Sequence, residues 1–192
     1  MQKEVLYAGL DESNHHNGNE HPEICVAVFS TIKEDGECRV FNSSKDYAWK
    51  NEMLKDVRRD YRFLLLNCND IYPRRHNNLP VVAKSLIMPV LELESCKHER
   101  LEIYIDGVVT QDDKDRIIKS LSLNLDVYVQ GFIKYFKQER NPFDRKISGK
   151  ENSKRFKQPP ILKLADIIAH ELFSCYTLEK LSQHEKRVSF LA

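Results

Sequence analysis

The sequence predicts a mixed α/β domain built on one sheet. β-rich apolar runs cluster near the start, strands alternate with helices after them, and a long apolar helix comes last.

Residues 4–10 and 24–32 (ICVAVFSTI) are β-rich and are separated by a polar loop holding Asn17-Gly18 and Pro22. A third run, 37–42, follows the turn signal Glu34-Asp35-Gly36, and three runs so close together predict an antiparallel meander. Within 45–70, DYAWKNEMLKDVRRDYRFLLL reads as a helix through about residue 59, continued either as helix or as a strand. Residues 79–95 have helical spacing; Pro80 suits a first turn, while Pro89 predicts a kink or break. Residues 101–109 (LEIYIDGVV) alternate as a strand. Acids open 111–125, and Ile117, Ile118, Leu121 and Leu125 make the buried stripe of a helix. Residues 127–136 predict a strand bent at Gly131, 137–158 a long basic flexible loop, and 159–181 a helix opened by two prolines. There is no internal repeat and no low-complexity tract.

A chain of 192 residues fits a single domain over 1–192, burying about 70% of its unfolded surface without staples. The net charge of +1 does not by itself announce a nucleic-acid partner. Five cysteines, an odd number with no C-x-x-C pair and several in apolar runs, predict reduced thiols in a cytoplasmic protein. MQKEV lacks the features of a signal peptide, and no apolar run approaches the roughly 20 residues that span a bilayer, so no membrane partner is expected. Oligomeric state is left open.

Three acids stand out. Asp11 ends the first strand in the stretch VLYAGLDESNHHNG; Asp106 ends LEIYI; Asp166 lies within the apolar last helix. Each has an ordinary explanation. Asp11 can bond a turn backbone, Asp106-Gly107 is a common turn pair, and Lys163 (i−3) or His170 (i+4) can satisfy Asp166. Together they have a common logic: two leave the sheet at strand ends and one projects from a helix that packs on it. Clustered carboxylates repel unless cations are supplied, and Mg2+ or Mn2+ prefers such oxygen donors. Two ions about 4 Å apart can hold an attacking water and a leaving oxygen at a phosphodiester, with Asp11 bridging both and Asp106 and Asp166 holding one each.

The order of D-E-S after a first strand, an Asp ending a later strand and L-x-L-A-D-I-I-A in a final helix resembles the ribonuclease H-like superfamily. More narrowly, it resembles a group sharing the DES opening and the late L-x-L-A-D helix. The matching pieces are Tyr7–Ser13, Ile103–Gly107 and Ile161–Ala169. The resemblance implies a five-stranded mixed sheet flanked by helices and metal-dependent cleavage or transfer at phosphodiesters. It also implies a fourth carboxylate on the helix between strands three and four, for which Glu92 and Glu94 are candidates, with Pro89 disturbing the register. Glu12 is another, although alternation points it away from Asp11 if the strand continues.

His15, His16 and His21 fit a solvated loop better than a zinc site, since the nearest cysteine, Cys25, begins an apolar strand. His170, one turn beyond Asp166, is a supporting candidate or a helix histidine with a local partner. Residues 134–157 carry nine bases against three acids just before the Asp166 helix, with Phe143 and Phe156 interspersed. Lys146, Lys150, Lys154, Arg155 and Lys157 are the expected nucleic-acid contacts, a solvated loop being the plainer alternative. Arg58, Arg59, Arg62, Arg74, Arg75 and His76 read as diffuse surface, and Trp49, Tyr7, Tyr61 and Tyr72 as packing. No phosphate-cradling loop, dinucleotide fingerprint or nucleophile elbow is present. The chain therefore reads as a Mg2+- or Mn2+-dependent nuclease acting on DNA or RNA. A catalytically silent nucleic-acid-binding or assembly module and a small-phosphoester hydrolase are the alternatives.

Overall fold

A computed structural model describes residues 4–13, 23–42, 47–66, 75–94, 98–121, 125–132, 155–177 and 188–189. In chain order these form β1 (Glu4–Ser13), β2 (Glu23–Ser30), α1 (Lys33–Gly36), β3 (Arg39–Asn42), α2 (Tyr47–Met53), β4 (Arg59–Leu66) and α3 (Arg75–Glu94). β5 (His98–Asp106), α4 (Gln111–Leu121), β6 (Asp126–Phe132), β7 (Arg155–Gln158), α5 (Pro160–Thr177) and β8 (Val188–Ser189) follow.

The main sheet runs β4-β2-β1-β5-β6, with the two-residue β8 added beside β4. β1 pairs antiparallel with β2, and β2 with β4; β5 lies parallel to β1, and β6 to β5. This is the mixed five-stranded sheet expected. It is covered on both faces, which is why β2 is an unbroken apolar run and not an alternating one. Leu6, Ala8 and Leu10 of β1 and Leu101, Ile103 and Ile105 of β5 pack beneath α3 and α4. On the opposite face Tyr7, Val26, Val28, Phe63 and Tyr104 pack beneath α5.

The third strand is not the one predicted. Residues 39–42 leave the sheet and pair antiparallel with β7 instead, Phe41 opposite Phe156. A sheet interior needs a run that is apolar on both sides. RVFN cannot supply it, and its Val40 is largely exposed, whereas β4 buries Tyr61, Phe63, Leu64 and Leu66. The predicted helix through residue 59 stops at Met53. Asp56 is one cause: its carboxylate accepts the Arg58 backbone N–H at 3.0 Å and the guanidinium at 2.7 Å, an alternative to helical bonding. The same contacts hold its acidity well below the usual carboxylate range. Arg59 then turns inward onto buried Asp35, which also accepts the Ser30 hydroxyl at 2.6 Å.

α3 runs on through Pro89 without ending. Pro89 sits on its exposed side, where water can replace the donor that the ring lacks. α4 begins at a reciprocal cap: Asp113 N–H donates to Thr110 Oγ1 at 3.1 Å, and the Thr110 hydroxyl donates to Asp113 Oδ2 at 2.6 Å. Thr110→Ala is expected to cost about 1 kcal/mol, read in thermal unfolding as a drop of about 2–4 °C.

Of the cysteines, Cys25 is buried, Cys175 half-buried and Cys38 exposed; Cys68 and Cys96 lie outside the described residues. Among the described residues no helix is long and apolar enough to cross a membrane.

Candidate active site

Strand alternation sorts the acids. In β1, Leu10 faces α3, so Asp11 turns to the α5 face with Tyr7, and Glu12 returns to the α3 side. In β5, Ile105 faces α3 and Tyr104 faces α5, so Asp106 shares the face of Asp11. The parallel register runs through Leu10 opposite Ile105. One step further it sets Asp11 beside Asp106, about 5 Å apart along the backbone. Both stand at the carboxyl ends of their strands.

Asp11 is only 5% exposed, and its Oδ1 accepts the Glu12 backbone N–H at 2.8 Å. Asp106 is half-buried and is followed by Gly107, whose φ of 105° gives the turn that Asp-Gly predicts. Gly107 N–H donates to the Phe132 carbonyl at 2.7 Å. A Cβ on Gly131 would lie 2.7 Å from the Gly107 carbonyl oxygen, so β5 and β6 close this tightly only through glycine. Asp106 thus both opens a turn and ends beside Asp11. Glu12 lines a recess with Asp11, Leu79, Val82 and Leu86, on the α3 side as alternation requires.

The third acid arrives on α5, which lies directly on the bare backbone of β1. A Cβ on Gly9 would stand 2.6 Å from the Ile161 carbonyl oxygen. Asp166 takes up both of the local partners that its spacing predicts. Lys163 Nζ donates to Oδ2 at 2.9 Å, and His170 Nε2 lies 3.5 Å from Oδ1. Among the described residues no three His, Cys, Asp or Glu side chains are gathered as a ready metal cage. The adjacent pair Asp11 and Asp106 fits a hard divalent ion in donor chemistry, since Mg2+ keeps several waters and needs one or two carboxylates.

Glu92 is exposed in the last turn of α3, thirteen residues and about 20 Å along the helix from the Leu79 that meets the Glu12 recess. It is not brought to the pair. The side chain of Glu94 lies outside the described residues, as do Lys146, Lys150, Lys154, His15, His16, His21, Tyr72 and Arg74. Arg155 and Lys157 fall on β7, where the sequence predicts a loop, and Lys157 is exposed opposite Val40. Of the second basic group, Arg58 bonds Asp56, Arg59 is held by buried Asp35 and Arg62 bonds Asp60, so these charges are matched locally. Trp49 packs edge-on against Phe41, and Tyr7 and Tyr61 are buried, all as expected of core aromatics.

Two features escape sequence reasoning. The first is Lys163, buried although lysine normally keeps its ammonium in water. Its signal is its place three residues before Asp166. The second is Tyr104, whose hydroxyl donates to Glu102 Oε2 at 2.6 Å. Burial, then this bond, pushes the Tyr104 phenol far above the ordinary value of 10.0; burial, then the Glu102 charge, raises Tyr7. Both phenols are neutral in the fold up to pH values where an unfolded chain has already ionised them. The stability they contribute is therefore complete below pH 10 and is lost as pH rises through their folded values. Alkaline absorbance titration should show a late tyrosine phase that shrinks in Tyr104→Phe; ionisation of all tyrosines near pH 10 would contradict this.

No family model matches the chain, and no curated protein matches it by sequence. Solved structures do match it. A chain of the PCNA:RNase HII complex from Archaeoglobus fulgidus superposes with a TM-score of 0.55 at 11% identity, over 93% of this chain and 78% of that one. Ribonuclease H2 from Pyrococcus horikoshii OT3 superposes with a TM-score of 0.50 at 16% identity, over 93% and 76%. At these identities the likeness is one of fold. With its mixed β4-β2-β1-β5-β6 sheet flanked by helices, this chain has the ribonuclease H-like fold.

Proposed function

We propose that the protein is a divalent-metal-dependent nuclease that hydrolyses phosphodiester bonds in nucleic acid. The observation that supports this best is the register that sets Asp11 beside Asp106 at the carboxyl ends of two parallel strands, where open α/β sheets bind their ligands. The fold likeness to two ribonucleases agrees with it.

A Mg2+ or Mn2+ ion bound there supplies Lewis-acid polarisation of the phosphate and activation of water. Asp11 and Asp106 hold it. The Glu12 N–H fixes the Asp11 carboxylate, and Glu12 itself supports from the α3 side. Asp166 presents a third carboxylate from α5. His170, beside Asp166 and 39% exposed in its side chain, connects that carboxylate to solvent and can carry a proton outward. Lys146, Lys150, Lys154, Arg155 and Lys157 guide the phosphate backbone towards the acids.

The direct test is cleavage of labelled single-stranded DNA, RNA and hybrid duplex with Mg2+, Mn2+ or chelator. Cutting should require the metal. Neutralising Lys150, Lys154 and Arg155 together should weaken binding and lower its salt slope by about 1 for each phosphate that the protein no longer neutralises; unchanged affinity would remove this segment from the interface. A second reading, a catalytically silent nucleic-acid-binding module, draws support from the Lys163–Asp166 pair, which fixes a ligand candidate on a protein cation. Binding with no metal-dependent cutting of any substrate would favour it.

A further inference from the structure

We propose that Lys163 is a built-in cation standing where a second metal ion would, so that the site takes one divalent ion and not two. This rests on the metal-dependent reading above and goes beyond it by fixing the number of ions and the partner of Asp166.

Lys163 is 3% exposed, and its ammonium lies 2.9 Å from Asp166 Oδ2. A buried ammonium is strongly disfavoured unless it is paired, so this contact is part of the folded state and not a surface coincidence. The two residues are three apart on one helix and therefore always neighbours. That helix is seated against the bare backbone of β1 at Gly9, so the fold itself sets where the charge lies. A divalent ion on the same carboxylate would meet the ammonium at close range, and the two cations would repel. Asp11 and Asp106 need no help from Asp166, because two carboxylates and water suffice for Mg2+. Lys163 is thus a positioning residue: it neutralises Asp166 and holds it ready beside the ion, in the role that sequence reasoning gives to a second ion.

The test is metal stoichiometry on the full chain, by calorimetry with Mg2+ and by electron paramagnetic resonance with Mn2+. The wild type should bind one ion. Lys163→Arg, which keeps the charge, should also bind one, and Lys163→Met should bind two. Asp166→Asn should retain the ion within about threefold in affinity, whereas Asp11→Asn should lose it. Two ions in the wild type, a single ion in folded Lys163→Met, or a tenfold loss of affinity in Asp166→Asn would each overturn the proposal. Should Lys163→Met fail to fold, the wild-type count and the Asp166→Asn affinity still decide it. No ion on any variant would instead bring down the metal-dependent reading on which it rests.

Discussion

Asn in place of Asp11 is expected to lower metal-dependent cleavage by about three orders of magnitude, the scale on which losing a central electrostatic group acts. Binding of nucleic acid should be unaffected. Asp11 is buried beside Asp106, so losing one of two neighbouring carboxylates relieves repulsion in the metal-free protein. The variant should therefore melt no lower than the wild type without metal. Adding Mg2+ should raise the Tm of the wild type, by about 2.7 kcal/mol of stabilisation at a hundredfold excess over Kd, and leave Asp11→Asn unmoved. An equal metal-induced shift in both proteins would separate the ion from Asp11.

Gly9→Ala should be the most damaging small substitution in the sheet. The added methyl would fall 2.6 Å from the Ile161 carbonyl oxygen, 2.7 Å from its carbon and 2.9 Å from the Leu162 nitrogen. All three are backbone atoms, so no side chain can swing away, and α5 or β1 must shift. Overpacking of this kind costs about 3 kcal/mol, a fall in Tm of about 6–12 °C for a domain of this size. Activity should fall further than stability, by about 10²-fold at temperatures where the variant is folded, because a shift near 1 Å separates Asp166 from Asp11 and Asp106. A folded variant with full cleavage would show that the seating of α5 on β1 does not matter to the site.

The contrast between β3 and β4 shows how much of the fold is legible in the sequence. β-rich runs, alternation in LEIYID and the acidic start of α4 are local signals, and those elements stand where expected. The choice of third strand is not local. It turns on which run can be buried from both sides, and a short run after a clear turn signal is the more visible candidate. Pro89 misleads for a similar reason: its cost depends on whether solvent reaches that side of α3. Of the site, the facing of Asp11 and Asp106 follows from strand parity and parallel pairing, and both can be anticipated once the last alternating residue of each strand is identified. The alternation that sends Glu12 to the α3 side is equally readable. The engagement of Asp166 by Lys163 is visible only as spacing; that the ammonium is buried depends on tertiary packing around α5.

The central claim is that Asp11 and Asp106 share one cation. Anomalous scattering from a manganese-soaked crystal measures it directly. A single peak about 2.1 Å from a carboxylate oxygen of each residue is the predicted result. A manganese peak elsewhere in the molecule, with none in reach of Asp11, would contradict it.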